Sequence, residues 1–162
     1  MNLAIDVQYA CSAPAQPPAE EDIRRWVGAA LAGRREAAQL TVRIVDPEES
    51  RQLNETYRHR SGPTNVLSFT FEEPELLDPP LLGDVVICAA LVADEARAQG
   101  KAEEAHWAHL VVHGVLHLLG YDHEHHAEAR RMEDEERKVL ARLGYEDPYA
   151  GEESVPDLRR EA

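Results

Sequence analysis

Three histidines, His113, His117 and His123, sit in the stretch HGVLHLLGYDH among leucines, a valine and two glycines. An imidazole in so apolar a run costs free energy unless its nitrogens find partners. His113 and His117 are four residues apart, so on a helix they share a face and can bite one metal ion from a single turn. Gly120 then stands where helices commonly close with a glycine in the left-handed conformation. A turn there sends the chain back and lets His123 supply a third ligand. Zinc takes imidazole nitrogen readily, and three protein ligands leave a fourth position for water, the catalytic rather than the closed structural arrangement. Ni²⁺ and Cu²⁺ suit the same donors. The expectation is therefore one Zn²⁺ per chain, held by His113, His117 and His123. Asp122 has three readings: a fourth ligand, a general base or a turn former.

The same spacing occurs in H-E-x-x-H-x-x-G-x-x-H metalloproteases, where the Glu after the first His takes the proton from the metal-bound water. Gly114 occupies that place here. A peptidase or amidase built on this motif lacks its base and needs a substitute from elsewhere.

The motif must be carried by a helix, and the pattern around it supplies one. Over 103–119, His106, His109, His113 and His117 fall on one stripe, while Val111, Val115 and Leu118 point the other way, towards a core. His106 and His109 are then groups behind the ligands or surface groups. Before this helix, strands are expected at 3–9, 40–46, 64–71 and 83–89, from alternation and β-branched content. Helices are expected at 23–34, 46–60, 89–99 and 125–143. In the last of these, Glu133, Asp134, Glu135 and Glu136 make a solvated face, from which one or two carboxylates can reach back to accept from histidine N–H groups. Residues 145–162 have little to bury and read as a loose tail. The fold class is α+β: a single domain over 1–149 with a mixed, roughly four-stranded sheet and surrounding helices, and a flexible tail over 150–162.

The bulk numbers agree with one domain. The chain has 162 residues, 43% of them apolar, and a formal net charge of −14. Acidity argues against indiscriminate attachment to nucleic acid or anionic membranes. Cys11 and Cys88 are too few for a disulfide scaffold and read as small apolar filler. The start, MNLAIDVQYA, has neither the basic beginning nor the apolar core of a signal peptide, and no apolar run is long enough to span a bilayer. A cytoplasmic location follows as the expectation.

HGVLHLLGYDH followed by RRMEDEE (130–136) resembles the YbeY family of bacterial metal-dependent endoribonucleases. The resemblance extends to LNETYRHRSGPTNVLSFTFEEP (53–74), LLGDVVICAALVADEA (81–96) and LGYEDPY (143–149), in the family's order, over roughly residues 40 to 149. It implies a single α+β domain, with His113, His117 and His123 as ligands of zinc and Arg58 as a functional arginine. It also implies single-strand-directed cleavage in the maturation of small-subunit ribosomal RNA and in ribosome quality control, so RNA is the expected partner, with the ribosome or its proteins beside it. A non-catalytic ribosome-associated module with a structural zinc is the competing class, and it needs a fourth ligand such as Asp122. The chain departs from the family pattern at Ser61-Gly62, where an Asp often precedes the Pro of the PTNVLSF segment.

Arg58 suits the implied chemistry, because a guanidinium can fork onto two phosphate oxygens. RNA affinity usually comes from a basic footprint. The whole chain lacks one, yet Ile23 to Arg60 holds eight Arg against five Asp or Glu. A groove lined by Arg58, Arg60 and either Arg43 or Arg51 is the expectation. Arg24, Arg25, Arg34 and Arg35 read as solvated helix positions.

Overall fold

Alternation in the segment AAQLTVRIV buries Ala38, Leu40, Val42 and Ile44 on one side of a strand and turns Gln39, Thr41 and Arg43 to the other. That strand, β2 (Ala37–Val45), is the hinge of the architecture. β1 (Asn2–Ala10) pairs with it in parallel, and β4 (Leu81–Cys88) pairs with its other edge, also in parallel. β3 (Val66–Thr70) runs antiparallel to β4 and forms the outer edge, giving the order β1-β2-β4-β3. The sheet is thus mixed and four-stranded, as expected. The computed structural model describes residues 2–122 and 124–150.

Five helices complete the α+β fold: α1 (Glu20–Leu31), α2 (Pro47–Tyr57), α3 (Ala89–Gln99), α4 (Glu103–Leu118) and α5 (His126–Leu143). Each lies within a few residues of its expected place. One short 3₁₀ turn, Pro74–Leu76, lies between β3 and β4. Parallel neighbours need crossovers, and α1 supplies the one between β1 and β2.

One face of the sheet carries the main core. Ile5, Leu40, Val42, Ile44, Val85 and Ile87 meet Ile23, Trp26 and Val27 of α1 and Val111, Val112 and Val115 of α4. Burying each such side chain contributes about 1.5–3 kcal/mol. Met132, Val139 and Leu140 of α5 join the same cluster. The opposite face is covered more thinly, with Val45, Leu67, Val86 and Cys88 packed against Leu53 of α2.

Helix α4 is therefore enclosed on more sides than its pattern suggested. His106 and His109 are buried, not surface groups. Gly114 explains how α4 comes so close to the sheet: a Cβ there would lie 2.5 Å from Val85 Cγ1 and 3.2 Å from Val85 Cγ2. The chain beyond α5 also differs from the expected loose tail, since Tyr149 is only 6% exposed. The tail expected over 150–162 lies, apart from Ala150, outside the described residues.

Candidate metal centre

The end of α4 follows the glycine logic of the sequence. Gly120 has φ +104; its N–H donates to the His117 carbonyl at 3.0 Å, and the Tyr121 N–H donates to the Leu116 carbonyl at 3.2 Å. This is the paired closure of a Schellman motif, which satisfies carbonyls the helix leaves over. Asp122 follows as a turn former, its Oδ1 accepting from the Glu124 N–H at 3.0 Å.

His113 and His117 lie half-buried, one turn apart on α4. His123 lies outside the described residues, so its expected place as third ligand stays an expectation. Among the described residues, no three His, Cys, Asp or Glu side chains converge as a metal-binding group.

Behind the two histidines stands a carboxylate that the acidic run concealed. Glu136 belongs to the run expected to form a solvated face, but it is fully buried. Its Oε2 lies 2.6 Å from His113 Nδ1 and its Oε1 lies 2.8 Å from His109 Nε2. The Tyr149 hydroxyl donates to the same Oε1 at 2.5 Å. Burial pushes the Glu136 carboxyl up, but His113 and His109 outweigh it and hold the group well below the ordinary carboxylate range. Desolvation alone lowers the His113 pKa; the Glu136 carboxylate outweighs that and raises it. His109 moves the other way, lowered because burial outweighs the same carboxylate. Glu133 is also buried, whereas Asp134 is solvated. The signal for this was legible: Ala129, Met132, Glu133, Glu136 and Leu140 recur at helical spacing on the core side of α5.

The residues fit a nitrogen-preferring metal ion. With Nδ1–H directed to Glu136, the other ring nitrogen of His113 is the one that carries the lone pair. A carboxylate behind a ligating imidazole is the usual means of fixing tautomer and ring angle.

Arg58 reaches this region from the other side of β3. Asn65, Leu67, Phe69 and Phe71 face β4: Cys88 N–H donates to the Asn65 carbonyl, and Phe71 N–H to the Leu82 carbonyl. The Ser68 carbonyl therefore points to the free edge, where Arg58 donates to it. The Ser68 hydroxyl donates to the Gly114 carbonyl at 3.0 Å, beside His113 in the chain. Ser68 thus ties Arg58 and the histidine helix to one strand position, a role the sequence reading missed. The Arg58 guanidinium also lies 5.2 Å from the centre of the Phe69 ring, within cation–π reach.

The wider basic groove contracts. Arg43 binds Glu49 and Gln8, and Arg51 binds Glu48 and Glu55. Arg24, Arg25, Arg34 and Arg35 each pair with an acid. The run Tyr57-Arg58-His59-Arg60 is exposed, and Arg58 in it reaches β3.

The fold and this helix-borne histidine pair define an α+β domain with its polar chemistry gathered between α4, α5 and the edge strand. A family model described as Endoribonuclease YbeY matches residues 11–144, and the chain belongs to that family. A curated relative named Endoribonuclease YbeY from Alkalilimnicola ehrlichii is 60% identical over 151 residues, covering 91% of each chain. Relatives of the same name from Nitrosococcus oceani and Pseudomonas putida are 53% and 54% identical, and cover 92% and 94% of this chain and 98% and 96% of their own. A solution structure of a Thermotoga maritima protein is similar in fold, with a TM-score of 0.55 at 21% identity, over 88% of this chain and 97% of that one.

Proposed function

We propose that this chain is a zinc-dependent endoribonuclease that cuts single-stranded stretches of ribosomal RNA during maturation, in the cytoplasm. The observation that carries the reading is family membership over residues 11–144, combined with His113 and His117 on one turn and Glu136 set behind them. His113, His117 and His123 would hold the ion. The chemistry a bound zinc supplies is activation of water near neutral pH and polarisation of a phosphoryl oxygen.

The chain's own groups do the rest. Glu136 keeps the His113 proton on Nδ1 and fixes the ring. Arg58 carries five N–H donors, and the one given to Ser68 leaves others to fork onto two phosphate oxygens. Gly114 counts against a peptidase of the metalloprotease pattern, because a glutamate there would drive its Cβ into Val85. No helix among the described residues is long and apolar enough to cross a membrane.

The test pairs metal content with cleavage of structured ribosomal RNA, for the wild type and His117→Ala. The expected result is near one zinc per chain in the wild type, with zinc and cleavage lost together in the variant. Zinc retained by a wild-type protein that cuts no RNA, alone or with ribosomal subunits, would replace this reading with that of a structural ion.

A further inference from the structure

Tyr57 is a large aromatic left 61% exposed at the last residue of α2, just before the turn to the edge strand. It is not loosely placed. Its ring stands edge-on to Phe69, 5.6 Å between centroids at 73°, while Arg58 lies over the same Phe69 ring. Phe69 itself is pinned in β3, one residue from Ser68. The ring next to Arg58 is thus presented to solvent on one side and packed against a strand residue on the other.

Charge sharpens the picture. Tyr57 opens the run Tyr57-Arg58-His59-Arg60, all four exposed, in a chain of net charge −14. His59 takes φ +57, which turns the backbone out of α2 directly after Arg58. The nearby carboxylate of Glu55 is engaged by Arg51 and by the Gly62 N–H. An exposed aromatic flanked by basic groups is the combination that binds single-stranded nucleic acid: the cations follow the phosphates, and the ring takes a base face that a duplex keeps stacked.

Resting on the endoribonuclease reading, we propose that Tyr57 is the base-stacking platform of this site: it takes the unpaired nucleobase next to the phosphate that Arg58 binds. It thereby selects unpaired RNA over duplex. A protein strand would need the outward-facing row of β3, where Arg58 occupies the Ser68 carbonyl, whereas a planar π-face and a guanidinium fork on adjacent residues match one nucleotide.

Equilibrium binding separates the possibilities, using a fluorescent single-stranded oligoribonucleotide, the same sequence as a duplex, and a version with one abasic position. The proteins are the wild type, Tyr57→Phe, Tyr57→Leu and Tyr57→Ala. Tyr57→Phe should bind the single strand like the wild type, and Tyr57→Leu and Tyr57→Ala about tenfold or more weaker, the scale of one lost base stack. The abasic strand placed in register should bind wild type and Tyr57→Ala alike. The proposal is overturned if all four proteins bind the single strand equally, or if the loss is as large for the duplex. Unchanged RNA binding with an altered association state in Tyr57→Ala would assign the ring to a protein contact and overturn it too. A wild type that neither binds nor cuts RNA would bring down the endoribonuclease reading itself, whereas a cutting enzyme indifferent to Tyr57 removes only the platform.

Discussion

Oε2 of Glu136 lies 2.6 Å from Nδ1 of His113, and this contact ties the fully buried carboxylate of α5 to the first residue of the histidine motif on α4. The same group holds His109 and receives the Tyr149 hydroxyl, so three ring-bearing side chains depend on it.

Replacing Glu136 should be felt in both metal binding and folding. Glu136→Gln keeps the shape and loses the charge, and should weaken zinc binding about 10–100-fold, read by competition with a chromophoric chelator. Glu136→Ala leaves buried imidazoles without their acceptor and should lower stability by about 3–5 kcal/mol in denaturant melts. Equal zinc affinity in wild type and Glu136→Gln would remove the carboxylate from the site's design.

Gly114→Ala tests the close approach of α4 to the sheet. Alanine gains about 0.8–1.0 kcal/mol in helix propensity. Its Cβ would sit 2.5 Å from a methyl of Val85, a β-branched side chain with little room to rotate away. Overpacking of this kind costs about 1–3 kcal/mol, so the net change should be destabilising. A second change, Val85→Ala, should recover part of the loss. A midpoint unmoved or raised by Gly114→Ala alone would contradict the packing argument.

Arg58→Lys and Arg58→Ala separate charge from geometry. Lysine keeps the charge but not the planar fork. Both variants should fold and bind zinc normally, because Arg58 is exposed and is not one of the proposed ligands. Cleavage should fall about 10²-fold in kcat for alanine, the usual scale for losing one transition-state donor, and lysine should restore only a minor part. Normal turnover in Arg58→Ala would leave the phosphate without this partner.

Asn65→Asp probes the anchor at the start of β3. The Asn65 side-chain amide donates to both oxygens of Glu95, at 3.0 and 3.2 Å, and Glu95 also meets His106 Nε2 at 2.8 Å. Burial pushes the Glu95 carboxyl up, and His106 and Asn65 bring it below its ordinary value. A group lowered on folding stabilises above its unfolded pKa and loses that contribution as pH falls through the folded one. Aspartate at 65 replaces the donor by a second carboxylate and should cost about 1–3 kcal/mol near pH 7. The gap to wild type should narrow below about pH 4, as both acids protonate. A gap independent of pH would point to shape rather than charge.

The elements were legible because their patterns are local. Alternation in β2, the glycine closing α4 and the spacing of His113 and His117 each speak within one stretch of chain. Strand order was not legible, because pairing β2 with β4 across the β3 segment leaves no mark in either strand. The burial of Glu136 was hidden by its neighbours: Asp134 and Glu135 made the run look solvated, while the 3.6-residue period carried Glu133 and Glu136 inward. Ser68 gave no signal, since its role depends on which way an edge carbonyl points. Tyr149 looked like part of a polar tail because one buried ring among acids does not shift a composition.

The arginine on the Ser68 carbonyl has a consequence away from chemistry. An edge strand is a template on which another chain can add itself, and proteins guard such edges with charge. Arg58 sits at the midpoint of the outward-facing row of β3, capping a carbonyl that a second strand would otherwise use. Loss of this side chain therefore uncovers a sticky margin, and Arg58 variants should show greater self-association on storage and heating than other surface substitutions in this chain.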